Sequence, residues 1–282
     1  MAGDANAAGA ADEKLDVMGH ILDSEHLELP FINAHHHVLN GSIHLPDIPE
    51  FPLFGIPINL SITRHVVMMW VASVLLIGSL LIAFRQPRLV PSGLANFFEA
   101  IVVFLRDEVV MPVMGEQGRH YLPYLLTVFF FILFCNLLGL IPYSATATGN
   151  ISVTAALALC TFILTQAVGI SNNGLFGYLK SLVPGGMPSW VLPIMIPVEI
   201  VSLFAKPFAL CIRLFANMIA GHVIILVFLG LIILLKSYLV APFSIAFAVA
   251  IYLLEIFIGF LQAFIFTLLS ALFISMAAHP EH

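Results

Sequence analysis

The chain has 282 residues, 61% of them hydrophobic and 9% charged, with a formal net charge of −6. Soluble domains carry about 25% charged residues, so a water-soluble globule is excluded. Ten basic residues against 16 acidic ones, with no basic cluster, also exclude a nucleic-acid binder. The fold class that remains is an all-α integral membrane protein. Cys135, Cys160 and Cys211 all fall in apolar runs and are expected to be small core residues, not disulfide partners or zinc ligands.

In chain order, residues 1–60 come first. They hold nine of the 16 acids and lack the basic start and apolar run of a signal peptide. They are expected to form an acidic, histidine-containing tail, followed by a single membrane domain over 61–282. Val66–Phe84 is nineteen residues without a charge, long enough to cross about 30 Å of hydrocarbon. Arg85 and Arg88 follow it, which puts that end in the cytoplasm and the tail outside. Residues 92–110 set Phe97, Phe98, Ile101, Phe104 and Leu105 against Glu99, Arg106 and Asp107, the pattern of an amphipathic surface helix. Arg119 and His120 keep the following loop cytoplasmic. Tyr121–Tyr143 and Ile151–Ile170 read as two further spans, joined outside by a Pro142–Asn150 turn. Ser171–Ser189 returns to the cytoplasm as a loop with Lys180, ending at Pro184-Gly185-Gly186.

The last hundred residues differ. Trp190–Leu235 and Leu239–Ala278 are 46 and 40 residues of nearly unbroken helix-compatible sequence. As helices they would measure about 69 and 60 Å, twice a bilayer crossing. Neither contains a polar turn, and Lys206-Pro207 supplies a kink at most. Two long, strongly tilted helices are therefore expected, with Lys236–Pro242 as the hairpin between them.

From Tyr121 to Ala278 the charged side chains are Lys180, Glu199, Lys206, Arg213, Lys236 and Glu255. An ionised group in hydrocarbon costs about 2.5–3.5 kcal/mol even on the lenient insertion scale, so each needs an explanation. On a helical wheel Glu199, Lys206 and Arg213 recur every seven residues, and Asn217 falls on the same face as Arg213. On the second helix Glu255 and Gln262 are also seven apart, with Gly259 between them. His222 is nine beyond Arg213 and points to the opposite side of an unbent helix. Arg213 cannot shed its proton and must meet an anion. Glu199, about 21 Å along the axis, is too distant to serve. The partner anion is either another subunit's, or Arg213 is a snorkelling or structurally paired side chain. Glu199 and Glu255 are either satisfied buried carboxyls or proton carriers, and His222 near a glutamate has the chemistry to exchange protons near neutral pH. Lys206, beside Pro207, is expected to snorkel to the headgroups. Gln262 and Asn217 can equally be amides that satisfy only backbone.

The stretch Leu210-Cys211-Ile212-Arg213-Leu214-Phe215-Ala216-Asn217-Met218-Ile219-Ala220-Gly221-His222 resembles the signature of subunit a of F-type ATP synthases. So do Phe134–Tyr143 (Phe-Cys-Asn-Leu-Leu-Gly-Leu-Ile-Pro-Tyr) and Leu261–Phe266 (Leu-Gln-Ala-Phe-Ile-Phe), and the likeness runs from about Arg64 to Ala278. The resemblance implies that Arg213 is the family's essential arginine, facing carboxylates of a rotating c-ring, with Asn217 and Gln262 as polar neighbours. It implies a cytoplasmic half-channel at Glu199 and an outer half-channel at His222 and Glu255. In many bacterial members that outer pair has the acid first; here the order is reversed, as in mitochondrial members. Further implications are c-ring and peripheral-stalk b subunits as partners, the remaining synthase subunits beyond them, and a multi-pass location in a bacterial inner membrane with the C-terminus cytoplasmic.

No cofactor and no metal are expected, and nothing matches GxxxxGK[ST], so ATP chemistry belongs to partner subunits. Three alternatives use the same residues. A self-contained proton-coupled transporter or channel would place a substrate cavity between internal repeats, which the sequence lacks. A metal protein would exploit His20, His26, His35, His36, His37 and His44 of the tail. A purely structural anchor would have no use for Arg213.

Overall fold

Within hydrocarbon the backbone has no water to bond, so long apolar runs close their N–H and C=O groups on themselves as helices. The computed structural model describes residues 62–85, 91–141, 144, 146–181, 191–235 and 241–278, together with the backbone of four short segments between 26 and 58. The remainder of the tail, Arg88, Pro142 and Tyr143, the 182–190 segment with its Pro-Gly-Gly break, and Lys236 to Val240 of the hairpin lie outside the described residues.

In the tail, β1 (His26–Glu28) pairs antiparallel with β2 (Ser42–His44), His26 opposite His44. Likewise β3 (Phe51–Leu53) pairs with β4 (Ile56–Ile58), Phe51 opposite Ile58. All-α thus describes the membrane part, and three-residue strands are too short for alternation to announce them. The helices follow. α1 is Arg64–Ala83 and α2 Leu94–Phe104; the latter continues through a π-helical turn, Leu105–Val110, into α3, Met111–Met114. A 3-10 turn at Gly115–Gln117 leads into α4, Gly118–Gly139. α5 is Ile151–Ser181, α6 Leu192–Leu235 and α7 Ala241–Ala278. Among the described residues five helical runs are long and apolar enough to cross a membrane. α6 and α7, at 44 and 38 residues, each have about twice the length of a crossing.

α5 passes the expected end at Ile170, because the apolar span does not stop there but breaks at Gly174 (φ 70°, ψ 163°) and resumes to Ser181. That left-handed φ reverses the chain at a position where glycine meets no steric penalty. Tyr178 folds back, its hydroxyl donating to Gln166 Oε1 at 2.7 Å. Its ring lies where a Cβ on Gly169 would be, 2.5 Å from Cε2.

By contact the chain divides into two units. One comprises Met1–Val71, Cys135–Asn150 and Ala216–Ile258, the other Ala72–Phe134, Ile151–Phe215 and Gly259–His282. The second unit holds the larger apolar cluster. Phe129, Phe130 and Ile132 of α4 meet Phe98 and Leu105, with Leu210, Cys211 and Leu214 of α6 and Ala263 and Phe266 of α7. Of α2, Phe98 is buried in this cluster while Phe97 and Phe104 stay exposed, and in the π-helical turn that follows Arg106 pairs with Asp107 at 2.7 Å. Inside, hydroxyls bond backbone or one another: Tyr124 with Thr161 at 2.8 Å, Thr267 to the Ala263 carbonyl at 2.9 Å, Ser270 to that of Phe266 at 2.7 Å. The outer faces are apolar, as Leu81 and Phe208 illustrate, 68% and 67% exposed. This explains the one departure among the cysteines. Cys135 and Cys211 are buried as expected, but Cys160 is exposed, since an apolar side chain facing lipid has no need of protein cover.

In the first unit Asn136, fully buried, accepts the Thr148 hydroxyl at 2.7 Å, Tyr252 donates to the Leu140 carbonyl at 3.1 Å, and Phe228 stacks on Phe247 at 5.5 Å. Replacing Asn136 by leucine keeps the volume but leaves the buried Thr148 hydroxyl without its acceptor, at a cost of about 1–3 kcal/mol. Asn136→Leu is expected to lower the unfolding midpoint in detergent, measured by thermal melting, with Thr148→Val restoring part of it. An unaltered midpoint would show that the bond contributes nothing to stability.

Candidate functional site

α6 and α7 present the intramembrane polar residues, and within the first unit their contact brings two of them together. His222 of α6 places Nδ1 2.8 Å from Oε1 of Glu255 of α7, with the His side chain 27% exposed and the Glu 2%. Close approach is permitted by Gly221, where a Cβ would fall 2.5 Å from the same carboxylate oxygen. The imidazole is held at both ends. Nδ1 also lies 3.0 Å from the Met218 carbonyl; Nε2 lies 2.9 Å from the Gly139 carbonyl and 3.1 Å from the Thr146 hydroxyl. Carbonyl oxygens only accept, so each ring nitrogen faces an acceptor, and the site accommodates a proton on both with Glu255 as counter-charge. The Nδ1–H aligns with Met218, leaving both Glu255 oxygens buried without an aligned hydrogen-bond donor among the described residues. A buried carboxylate that meets its partner through charge alone is a group with unused hydrogen-bond accepting capacity.

The other predicted residues fall as follows. Arg213 is half-buried on α6, and among the described residues no carboxylate comes within ion-pair distance of it. Gln262 is 3% exposed on α7, whereas Asn217 is exposed on α6. In the second unit half-buried Glu199 acts electrostatically on Tyr178, which lies beyond the span ending at Gly174. Burial pushes the Tyr178 phenol above its ordinary value; the Gln166 hydrogen bond opposes this and the Glu199 charge adds to it. Gln166 Nε2 is buried with no hydrogen-bond partner among the described residues. Lys206 does not simply reach outward: its Nζ stands 5.9 Å from the centroid of the Phe273 ring, a cation–π contact that offers the ammonium a partner inside the protein.

The family model described as "ATP synthase A chain" matches residues 66–275. The chain belongs to the ATP synthase A chain family. Among similar proteins, an ATP synthase subunit a of Chloroherpeton thalassium is 50% identical over 281 residues, covering 96% of this chain and 79% of that relative. One from Myxococcus xanthus is 55% identical over 229 residues, 80% of this chain and 75% of the relative. An ATP synthase subunit a 2 of Chlorobium luteolum is 51% identical over 290 residues, with 98% and 80% covered. As a member of the ATP synthase A chain family the chain is a multi-pass membrane protein, the proton-translocating subunit of the membrane sector, and acts as part of the synthase complex.

Sequence reasoning missed Thr146, His65, Gln166 and Tyr178. Thr146 lies three residues past the motif ending at Tyr143, but nothing in its spacing ties it to His222, 76 positions on. His65 carries only the weak signal of a histidine at the mouth of the first apolar run. Gly221, beside His222 in the signature, was the readable mark of close approach. Gly221→Ala drives a methyl into Glu255 and is expected to cut proton conduction about tenfold, equivalent to about 1.4 kcal/mol. Passive proton flux through reconstituted membrane sectors checks it, with assembled complex quantified by blot; unchanged flux would mean the pair need not touch.

Proposed function

We propose that the chain supplies two half-channels to a ring of carboxylate-bearing c subunits and couples proton flow to their rotation. The observation that carries this reading is the His222–Glu255 pair, a nearly fully buried carboxylate 2.8 Å from an imidazole on a second membrane helix. A proton arriving from outside enters at this pair, where Glu255 has oxygens without an aligned donor among the described residues. It passes to a ring carboxylate, which is then neutral and free to move into lipid at little electrostatic cost. After nearly a full turn the carboxylate meets Arg213. A guanidinium that cannot deprotonate favours the ionised form, so the proton leaves, toward the cytoplasm past Glu199. The same fixed charge repels hydronium and keeps the two half-channels from short-circuiting.

That Arg213 has no carboxylate at ion-pair distance among the described residues supports an anion from outside this chain. The membrane potential drives the cycle, about 2.3 kcal/mol per charge per 100 mV. By the family resemblance Asn217 and Gln262 are the neutral polar residues that accompany the arginine. Peripheral-stalk b subunits hold the chain against the torque, and residues 61–282 act as one membrane domain. The chain sits in a bacterial inner membrane with its acidic tail outside and its C-terminus in the cytoplasm.

Arg213→Ala is expected to lower respiration-driven ATP synthesis in inverted vesicles more than about 100-fold while the complex remains assembled on blots. Arg213→Lys is expected to fail as well, because a desolvated lysine sheds its proton and Lys lacks the planar fork. Normal synthesis in the assembled alanine variant would overturn the assignment.

A further inference from the structure

The outer pair is held from the side by a segment that the mechanism above does not use. Between α4 and α5, Thr146 sits at the start of a short 3-10 turn, Ala147–Gly149, with extended backbone (φ −75°, ψ 111°). Its side chain occupies the space that a Cβ on Gly139 would need, so the loop packs directly on the end of α4. Its hydroxyl reaches His222 Nε2 at 3.1 Å. Its carbonyl is shared. The Gly149 N–H donates to it at 2.9 Å, and Nδ1 of His65 lies 3.0 Å away. His65 is the second residue of α1, 81 positions from Thr146, and only 4% exposed. A carbonyl oxygen only accepts, so Nδ1 of His65 carries the hydrogen and donates it. Four residues are thereby linked in order: His65, the Thr146 carbonyl, the Thr146 hydroxyl, then His222 against Glu255.

We propose that His65 is a positioning residue of the outer proton site: by holding the Thr146 carbonyl it aims the Thr146 hydroxyl at His222 and keeps the imidazole against Glu255. The proposal rests on the half-channel reading of that pair. The alternative, that His65 hands protons onward, is disfavoured by the atom it faces. A peptide carbonyl has no proton to relay, and the hydroxyl that meets His222 is a separate group of the same residue. Holding needs only an N–H at the right distance from the backbone. Relay would need a titrating ring. A second feature agrees with holding: Thr146 is also 6% exposed, so its hydroxyl has little water to turn toward and its orientation follows the loop's.

The two roles part company on substitution. Asparagine carries an N–H where histidine has Nδ1; glutamine carries it one bond further out, and leucine has none. Proton flux through reconstituted membrane sectors, normalised to assembled complex, is measured for His65→Asn, His65→Gln and His65→Leu, with Glu255→Gln and Thr146→Val in parallel. The leucine and glutamine variants are expected to lose about tenfold, in the range that sub-ångström to 1 Å misplacement costs, with the asparagine variant within about twofold of wild type. Thr146→Val is expected to lose as much as His65→Leu, and the double variant no more than either, because both act through one hydroxyl. Equal losses in Asn, Gln and Leu would overturn the proposal in favour of a relay, and no loss in Leu would overturn it outright. Should His65→Leu fail to assemble, the Asn and Gln pair decides: Asn above Gln supports positioning, and parity overturns it. If Glu255→Gln conducts normally, the half-channel reading itself fails; if it is dead and His65→Leu is normal, only the positioning role does.

Discussion

The constraint on which the structure depends is that hydrocarbon gives an ionised group no solvent to fall back on. Every charge between α4 and the C-terminus must be balanced by something named: another side chain, another molecule, or a proton that comes and goes. His222 and Glu255 balance one another at 2.8 Å. Lys206 rests above an aromatic face. Arg213 has no such partner among the described residues, and a guanidinium cannot escape by deprotonation. The same rule governs the neutral polar groups, where threonine and serine hydroxyls return to their own helices four residues back. Isolated, such bonds are individually small. Together they let the interior carry polar side chains.

The parts of this arrangement that are local in sequence were readable from it. Nineteen uncharged residues make a span whatever surrounds them, and 40 or more without a polar turn make a helix too long to stand upright. The scarcity of charge is itself what singles out Arg213, Glu199 and Glu255, since each charge retained in such a setting is costly. The Arg213–His222 stretch is contiguous, so its resemblance to a family could be seen without coordinates. The pairing of His222 with Glu255 was read from that resemblance, and the distance between them gives it physical content.

What the sequence could not disclose depends on which distant segments meet. His65 and Thr146 are 81 residues apart, and no periodicity links them. Whether Lys206 snorkels outward or settles over Phe273 depends on the neighbouring helix supplying a ring at that level. Cys160 and Cys211 are equally apolar in context, yet one faces outward and the other inward. A sequence hydrophobic on all sides hides which face is which, because lipid and core look alike to it. In a soluble helix the polar stripe would have marked the outside.

Gly174 carries a different kind of constraint from the glycines at close contacts. Nothing lies within 4 Å of a Cβ built there, so a larger residue would fit. What restricts the position is its positive φ, which turns the chain so that Tyr178 lies back over Gly169 and within the electrostatic reach of Glu199. Tolerance at this site therefore follows dihedral preference and not volume: φ 70° with ψ 163° is a region that only glycine enters readily, so alanine and asparagine are both strained there and a β-branched residue is the harshest, despite ample room. Over evolutionary drift the identity of residue 174 would be policed by a backbone angle, and the environment of Glu199 would change without any substitution at Glu199 or at any side chain touching it.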